Sequence, residues 1–130
     1  MSRSFVSATH LVVLLLAFVC GCGSQTMPVS GVVTLDEKPL AGVRVIFTPA
    51  EGGRRNSVGT TDETGAYSLN YTIRDSGSLV GQYKVSISKS VMTDKGEIET
   101  LPAKYNRKSA FKAEVTASGD NKFDFNLESK

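Results

Sequence analysis

From Val29 to Leu127 apolar and polar residues alternate with a period of two, and no stretch carries the 3.6-residue stripe of an amphipathic helix. Val29, Val33 and Leu35 fall on one face of a first strand. Val43, Val45 and Phe47 do so in a second, with Arg44 and Thr48 on the opposite face. A shorter strand fits Ser57 to Thr61, and Tyr67, Leu69 and Tyr71 mark another. Tyr83, Val85 and Ile87 then alternate with Lys84, Ser86 and Ser88; Phe111, Ala113 and Val115 with Lys112, Glu114 and Thr116; and Phe123, Phe125 and Leu127 with Lys122, Asp124 and Asn126. Each segment has one apolar face and one wet face, the pattern of antiparallel sheets packed on one side.

Turn residues fall between these segments. Asp36 to Gly42 links the first two strands, Asp62-Glu63-Thr64-Gly65 precedes the Tyr67 strand, and Ser118-Gly119-Asp120-Asn121 reads as a hairpin joining the last pair. Seven short strands so spaced predict an all-β fold, a seven-stranded antiparallel Greek-key β-sandwich.

The stretches 29–45 (with Asp36-Glu37-Lys38-Pro39-Leu40-Ala41-Gly42), 59–69 (Gly59-Thr60-Thr61-Asp62-Glu63-Thr64-Gly65-Ala66-Tyr67-Ser68-Leu69) and 81–87 (Gly81-Gln82-Tyr83-Lys84-Val85-Ser86-Ile87) resemble carboxypeptidase regulatory-like domains. These belong to the transthyretin-like, or prealbumin-like, sandwiches, alongside the collagen-adhesin B-type repeats. Leu101 to Asn106 also resembles a segment of small lipoproteins from planctomycete-type bacteria. The resemblance implies a fold and says little of function, because its glycines, prolines and alternating apolar residues are what a sandwich requires. Related hydroxyisourate hydrolases depend on histidines. The Lys-to-Asn isopeptide bond of some collagen-adhesin domains needs an inward lysine on the first strand, where this chain has none; Lys38 falls in a turn.

The first 21 residues divide as an export signal does, with Arg3 ahead of a continuously apolar run from Leu11 to Val19 and small Gly21 before Cys22. The run is shorter than the roughly 20 residues that span a bilayer. Val19-Cys20-Gly21-Cys22 resembles the bacterial lipobox, whose final cysteine receives a diacylglyceryl thioether before cleavage. Cys22 is the favoured lipidated residue because Gly21 precedes it. Cys20 as the anchor puts bulky Val19 where a small residue belongs, and an ordinary secretory signal with two incidental cysteines is the remaining reading. The expected organisation is a signal peptide over 1–21, the lipidated cysteine and a short tether over 22–27, and the sandwich over 28–130.

Cleavage there changes the chemistry available. It removes His10, the only histidine, together with Cys20, and takes Arg3 from the 15 basic residues while leaving all 13 acidic ones. The mature chain is then close to neutral and holds no thiol beyond the modified one, so its stability rests on the core; a chain of about this length buries a little over 60% of its unfolded surface. Scattered Lys and Arg give no nucleic-acid footprint, and Arg54-Arg55 and Arg107-Lys108 read as solvated loop charge.

Without histidine or free cysteine, histidine-assisted nucleophiles and the usual zinc clusters drop out, and no catalytic residue, metal site or cofactor is expected. Asp62, Glu63 and Thr64 offer too few oxygens for calcium and read as a turn. Asp94, Glu97 and Glu99 share a polar segment where carboxyl groups keep ordinary acidity, poorly suited to acid catalysis.

Function is then expected in three long connections, 49–56, 74–81 and 90–109. The last supplies the candidate partner-binding residues Leu101, Lys104, Tyr105, Asn106 and Arg107. Its other reading is a flap whose Leu101 and Tyr105 plug the open end of the core. The expected function is that of a membrane-anchored, non-catalytic interaction or structural module of the cell envelope, facing the periplasm or exterior from the cell membrane or outer membrane. The partner is an envelope protein or a glycan, the body is monomeric, and about five residues of tether reach at most roughly 20 Å. A carbohydrate-binding module is the alternative, with Tyr105 and Tyr71 as stacking rings in a chain without tryptophan. A carboxylate-dependent hydrolase is the third.

Overall fold

The computed structural model describes residues 26–129; the signal segment, Cys20, Cys22 and the start of the tether lie outside the described residues. The chain is an all-β sandwich. One sheet contains β4 (Arg44–Pro49), β5 (Ser57–Thr60), β8 (Gly81–Ser88) and β11 (Phe111–Val115), in the order β11-β8-β4-β5 and antiparallel throughout. The facing sheet is built on β2 (Ser30–Leu35), flanked by β12 (Phe125–Leu127) on one edge and by β6 (Ala66–Ser68) and β3 (Lys38–Pro39) on the other. β1 (Thr26–Met27) pairs with β7 (Ser78–Leu79). β9 (Ser90–Thr93) and β10 (Gly96–Glu99) form a separate two-stranded hairpin.

All seven strands read from the alternation are present, with the expected faces inward. Val33, Val43, Val45, Phe47, Val85, Ile87 and Val115 are wholly buried between the sheets, while Arg44, Thr48, Lys84, Lys112 and Glu114 are exposed. At one lateral edge β5 meets the continuation of β6 through reciprocal backbone bonds between Val58 and Asn70, 3.1 and 2.9 Å, which tie the two sheets together.

The opposite edge departs from expectation. Ser118 to Asn121 does not close a hairpin: β11 and β12 lie in different sheets, and β12 runs parallel to β2. The reason is local. The buried Asn121 amide accepts from Thr116 N–H at 2.9 Å and donates to Thr116 C=O at 2.9 Å, replacing the strand pairing a hairpin would have begun there. Asn121 C=O then accepts from Ser30 N–H at 3.0 Å, and the chain enters beside β2. This crossing leaves a seam between β11 and β12 that strand pairing does not close.

The 90–109 segment is more regular than the long loop expected. It contains the β9–β10 hairpin and a 3-10 turn at Ala103–Tyr105. Thr93-Asp94-Lys95-Gly96 makes the hairpin bend, with Gly96 at φ +108°.

Candidate functional site

The residues singled out over 101–107 divide by direction. Tyr105 fills the seam. Its ring stacks on Phe111 of β11 at 5.8 Å and 8°, Phe111 packs on Phe125 of β12 at 5.0 Å, and Phe125 on Tyr67 of β6 at 6.4 Å. The aromatic row therefore crosses from one sheet to the other, where offset and tilted ring pairs add to ordinary burial. The Tyr105 hydroxyl accepts from Glu128 N–H at 2.9 Å, fastening the turn to the end of β12. Leu101 is buried in the same core. Asn106 is spent on the fold: its amide donates to Ile87 C=O at 3.3 Å and Pro102 C=O at 3.1 Å, and its side-chain oxygen accepts from Arg107 N–H at 3.0 Å. Ser109, also buried, donates its hydroxyl to Val85 C=O. Lys104 and Arg107 are exposed, and the Lys104 ammonium sits 5.2 Å from the Tyr105 ring centre. Of the five, these two alone face outward. Tyr71 is then the more accessible of the two rings considered for sugar stacking, with the Arg55 guanidinium 5.8 Å from its centre.

Three of the carboxylates set aside in the sequence, Asp62, Glu97 and Glu99, accept local hydrogen bonds. Asp62 Oδ1 accepts from Thr64 N–H at 2.8 Å, Thr64 hydroxyl at 2.7 Å and Ala66 N–H at 3.1 Å. These bonds, led by the Thr64 hydroxyl, hold its carboxyl below the ordinary 3.8. For Glu99, partial burial works to raise the pKa, but bonds from Ser88 hydroxyl at 2.5 Å, Lys89 N–H at 2.9 Å and Leu101 N–H at 3.1 Å, with Thr100 N–H, leave it below 4.5. Glu97 accepts from the Ser90 hydroxyl across the hairpin. Carboxylates held as anions in the way Asp62 and Glu99 are make poor proton donors. Among the described residues, no three His, Cys, Asp or Glu side chains gather as a metal site.

Both depressed pKa values act in one direction on stability. A carboxylate favoured as its anion in the fold contributes above its unfolded pKa, and that contribution is lost as pH falls through the folded value. Urea midpoints are therefore expected to fall below about pH 4. The double variant Asp62→Asn, Glu99→Gln should be less stable at neutral pH and lose less on acidification; an unchanged acid slope would refute the assignment.

Tyr67 is a third perturbed group. Burial first, and the Asp124 charge second, push its phenol well above the usual range. It stays protonated and donates to Phe123 C=O at 2.6 Å.

Two outward features escaped the sequence reading. In the β9–β10 hairpin Val91 and Ile98 face each other across the strands, and they and Met92 are exposed. Its signal was present in Thr93-Asp94-Lys95-Gly96 flanked by Val91 and Ile98. The other is an open groove lined by Arg55, Asn70, Tyr71, Ile73 and Arg74.

No family model and no curated protein sequence matches this chain. Among solved structures it is similar to the major pilin subunit of Bacillus cereus, with a TM-score of 0.52 and 11% identity over 82% of this chain and 30% of the pilin chain. A looser similarity, TM-score 0.38 and 14% identity, joins 80% of this chain to 16% of a 9R-lipoxygenase from Cyanothece and bears no weight. The pilin likeness speaks to the β-sandwich fold, and this chain spans less than a third of that protein's length.

Proposed function

We propose that this chain is a membrane-anchored, non-catalytic lipoprotein whose sandwich serves as an interaction or structural module of the cell envelope. The lipobox-like Val19-Cys20-Gly21-Cys22 after an apolar run supports the anchor, and the carboxypeptidase regulatory-like pattern supports a module without chemistry of its own. The observation that carries the reading is the β9–β10 hairpin, which presents exposed Val91, Met92 and Ile98 on a two-stranded element. Such hairpins gain from a further strand or a packed face. The likeness to part of a pilin subunit is in keeping with a contact-making sandwich.

Proximity labelling in the native envelope tests this, comparing wild type with a chain in which Ser90–Glu99 is replaced by a short turn. Loss of the dominant protein neighbour is expected; an unchanged set of neighbours counts against the hairpin. Anchoring is tested separately. Labelled palmitate should enter wild type and Cys20→Ser but not Cys22→Ser.

A further inference from the structure

The end of the sandwich at which the described chain begins also holds its most exposed apolar side chain. Thr26 pairs with Leu79 in the β1–β7 ladder, and Gly77 packs against the Met27 carbonyl. In the same connection Ile73 is fully exposed, at 104%. It is held out by a well-bonded turn: Tyr71 N–H and Thr72 N–H both donate to Asp75 C=O, at 2.8 and 3.1 Å, and the Thr72 hydroxyl accepts from Arg74 N–H and Asp75 N–H at 3.2 and 2.9 Å. Arg55 and Arg74 line the same groove as Ile73, and no carboxylate lines it. The nearby Asp75 carboxylate is turned back on the Thr72 hydroxyl at 3.1 Å, and Glu51 lies in the neighbouring connection. Arg54 donates to the carbonyl of half-exposed Val80 at 2.9 Å, beside Leu79.

An isoleucine at the tip of a bonded turn, sharing a groove with two arginines, has the chemistry of a membrane-surface contact: the cations meet phosphates while the apolar side chain enters the head-group boundary. Cys22 stands four positions before Thr26, a reach of at most roughly 14 Å, so a lipid held there draws this end, rather than the β9–β10 end, against the bilayer. The opposite end mixes charges, Asp36, Glu37, Glu63 and Glu97 standing with Lys38, Lys89 and Lys95, so the tether decides which end meets the bilayer. We infer that the Ile73 turn with Arg55 and Arg74 docks on anionic phospholipid head groups and fixes the orientation of the sandwich on its membrane. This deepens the lipid-anchored reading above, on which its setting rests.

The test does not depend on acylation in the cell. Among the described residues every core residue lies between Val29 and Leu127, so residues 22–130 carry that core, and Cys22 is their only thiol. Coupling that thiol to a maleimide lipid places the domain on vesicles of phosphatidylglycerol and brominated phosphatidylcholine. The chain has no tryptophan, so Ile73→Trp supplies a single reporter at this end and Met92→Trp one at the far hairpin. Strong bromolipid quenching is expected at position 73 and little at 92. Adding Arg55→Ala and Arg74→Ala should lower the docking equilibrium constant, read as the ratio of docked to undocked domain, about thirtyfold, taking the usual contribution per basic residue at an anionic surface. Absence of quenching at 73, equal quenching at both positions, or quenching unchanged when phosphatidylglycerol is left out would overturn the proposal. Failure of palmitate to enter at Cys22 in cells would instead sink the anchoring reading and leave the vesicle result standing.

Discussion

Gly31→Ala should lower the stability of the sandwich by about 3 kcal/mol or more, at the upper end of what an added methyl costs in a packed core. Gly31 occupies the inward face of β2 between Val29 and Val33. A β-carbon there would lie 1.8 Å from the Phe123 carbonyl oxygen and 2.9 Å from the Tyr67 ring. The first neighbour is backbone, held by Phe123 N–H donating to Ser30 C=O at 2.8 Å and by the Tyr67 hydroxyl at 2.6 Å, so it has no rotamer by which to yield. For a domain of this size the loss corresponds to a fall in melting temperature of at least about 12 °C. Gly52→Ala is the control: no atom lies within 4 Å of its added carbon and its φ is not positive. It should change stability by no more than about 0.5 kcal/mol. Thermal melts of the two variants beside wild type decide the matter, and equal melting temperatures would contradict the close approach of the Phe123 backbone to β2.

Tyr105→Ala is the second large effect, about 3–5 kcal/mol, the usual cost of truncating a large buried aromatic ring. It opens the seam between β11 and β12, removing the stack on Phe111 and the acceptor for Glu128 N–H. Tyr105→Phe keeps the ring and should cost about 1 kcal/mol, because it loses one part-buried hydrogen bond whose donor belongs to the exposed Glu128. Lys104→Ala and Arg107→Ala should each stay within about 1 kcal/mol. Denaturant titration of the four variants separates a core plug from a surface loop. A stable Tyr105→Ala protein would return the tyrosine to the list of contact residues.

The two predictions share one cause. The chain after β11 crosses to the other sheet instead of turning back. That crossing brings Phe123 over Gly31 and leaves the seam that Tyr105 fills. Gly-Asp-Asn between two alternating strands is good hairpin chemistry, and Ser118-Gly119-Asp120-Asn121 has it. Nothing local distinguishes a turn within a sheet from a corner between sheets; the buried Asn121 amide bonded to Thr116 does so, and its burial is a property of the assembled domain.

The alternation by itself determined the fold class, the seven principal strands and the inward residues, from Val29 through Leu127, because period-two burial is a property of each strand alone. It also placed the Asp62 to Gly65 turn, since an aspartate that bonds residues two and four positions on needs no distant partner. Tertiary structure alone decided which strands become neighbours: the parallel pairing of β12 with β2 depends on residues some 92 positions apart, and local pattern carries no information at that separation. The same limit applied to the candidate site. The sequence favours Leu101 and Tyr105 as a plug over a contact surface but does not show what they plug, which is the seam, and Ile73, unremarkable in a polar loop, gained its meaning only when β1 and β7 brought it to the end where the chain enters the domain.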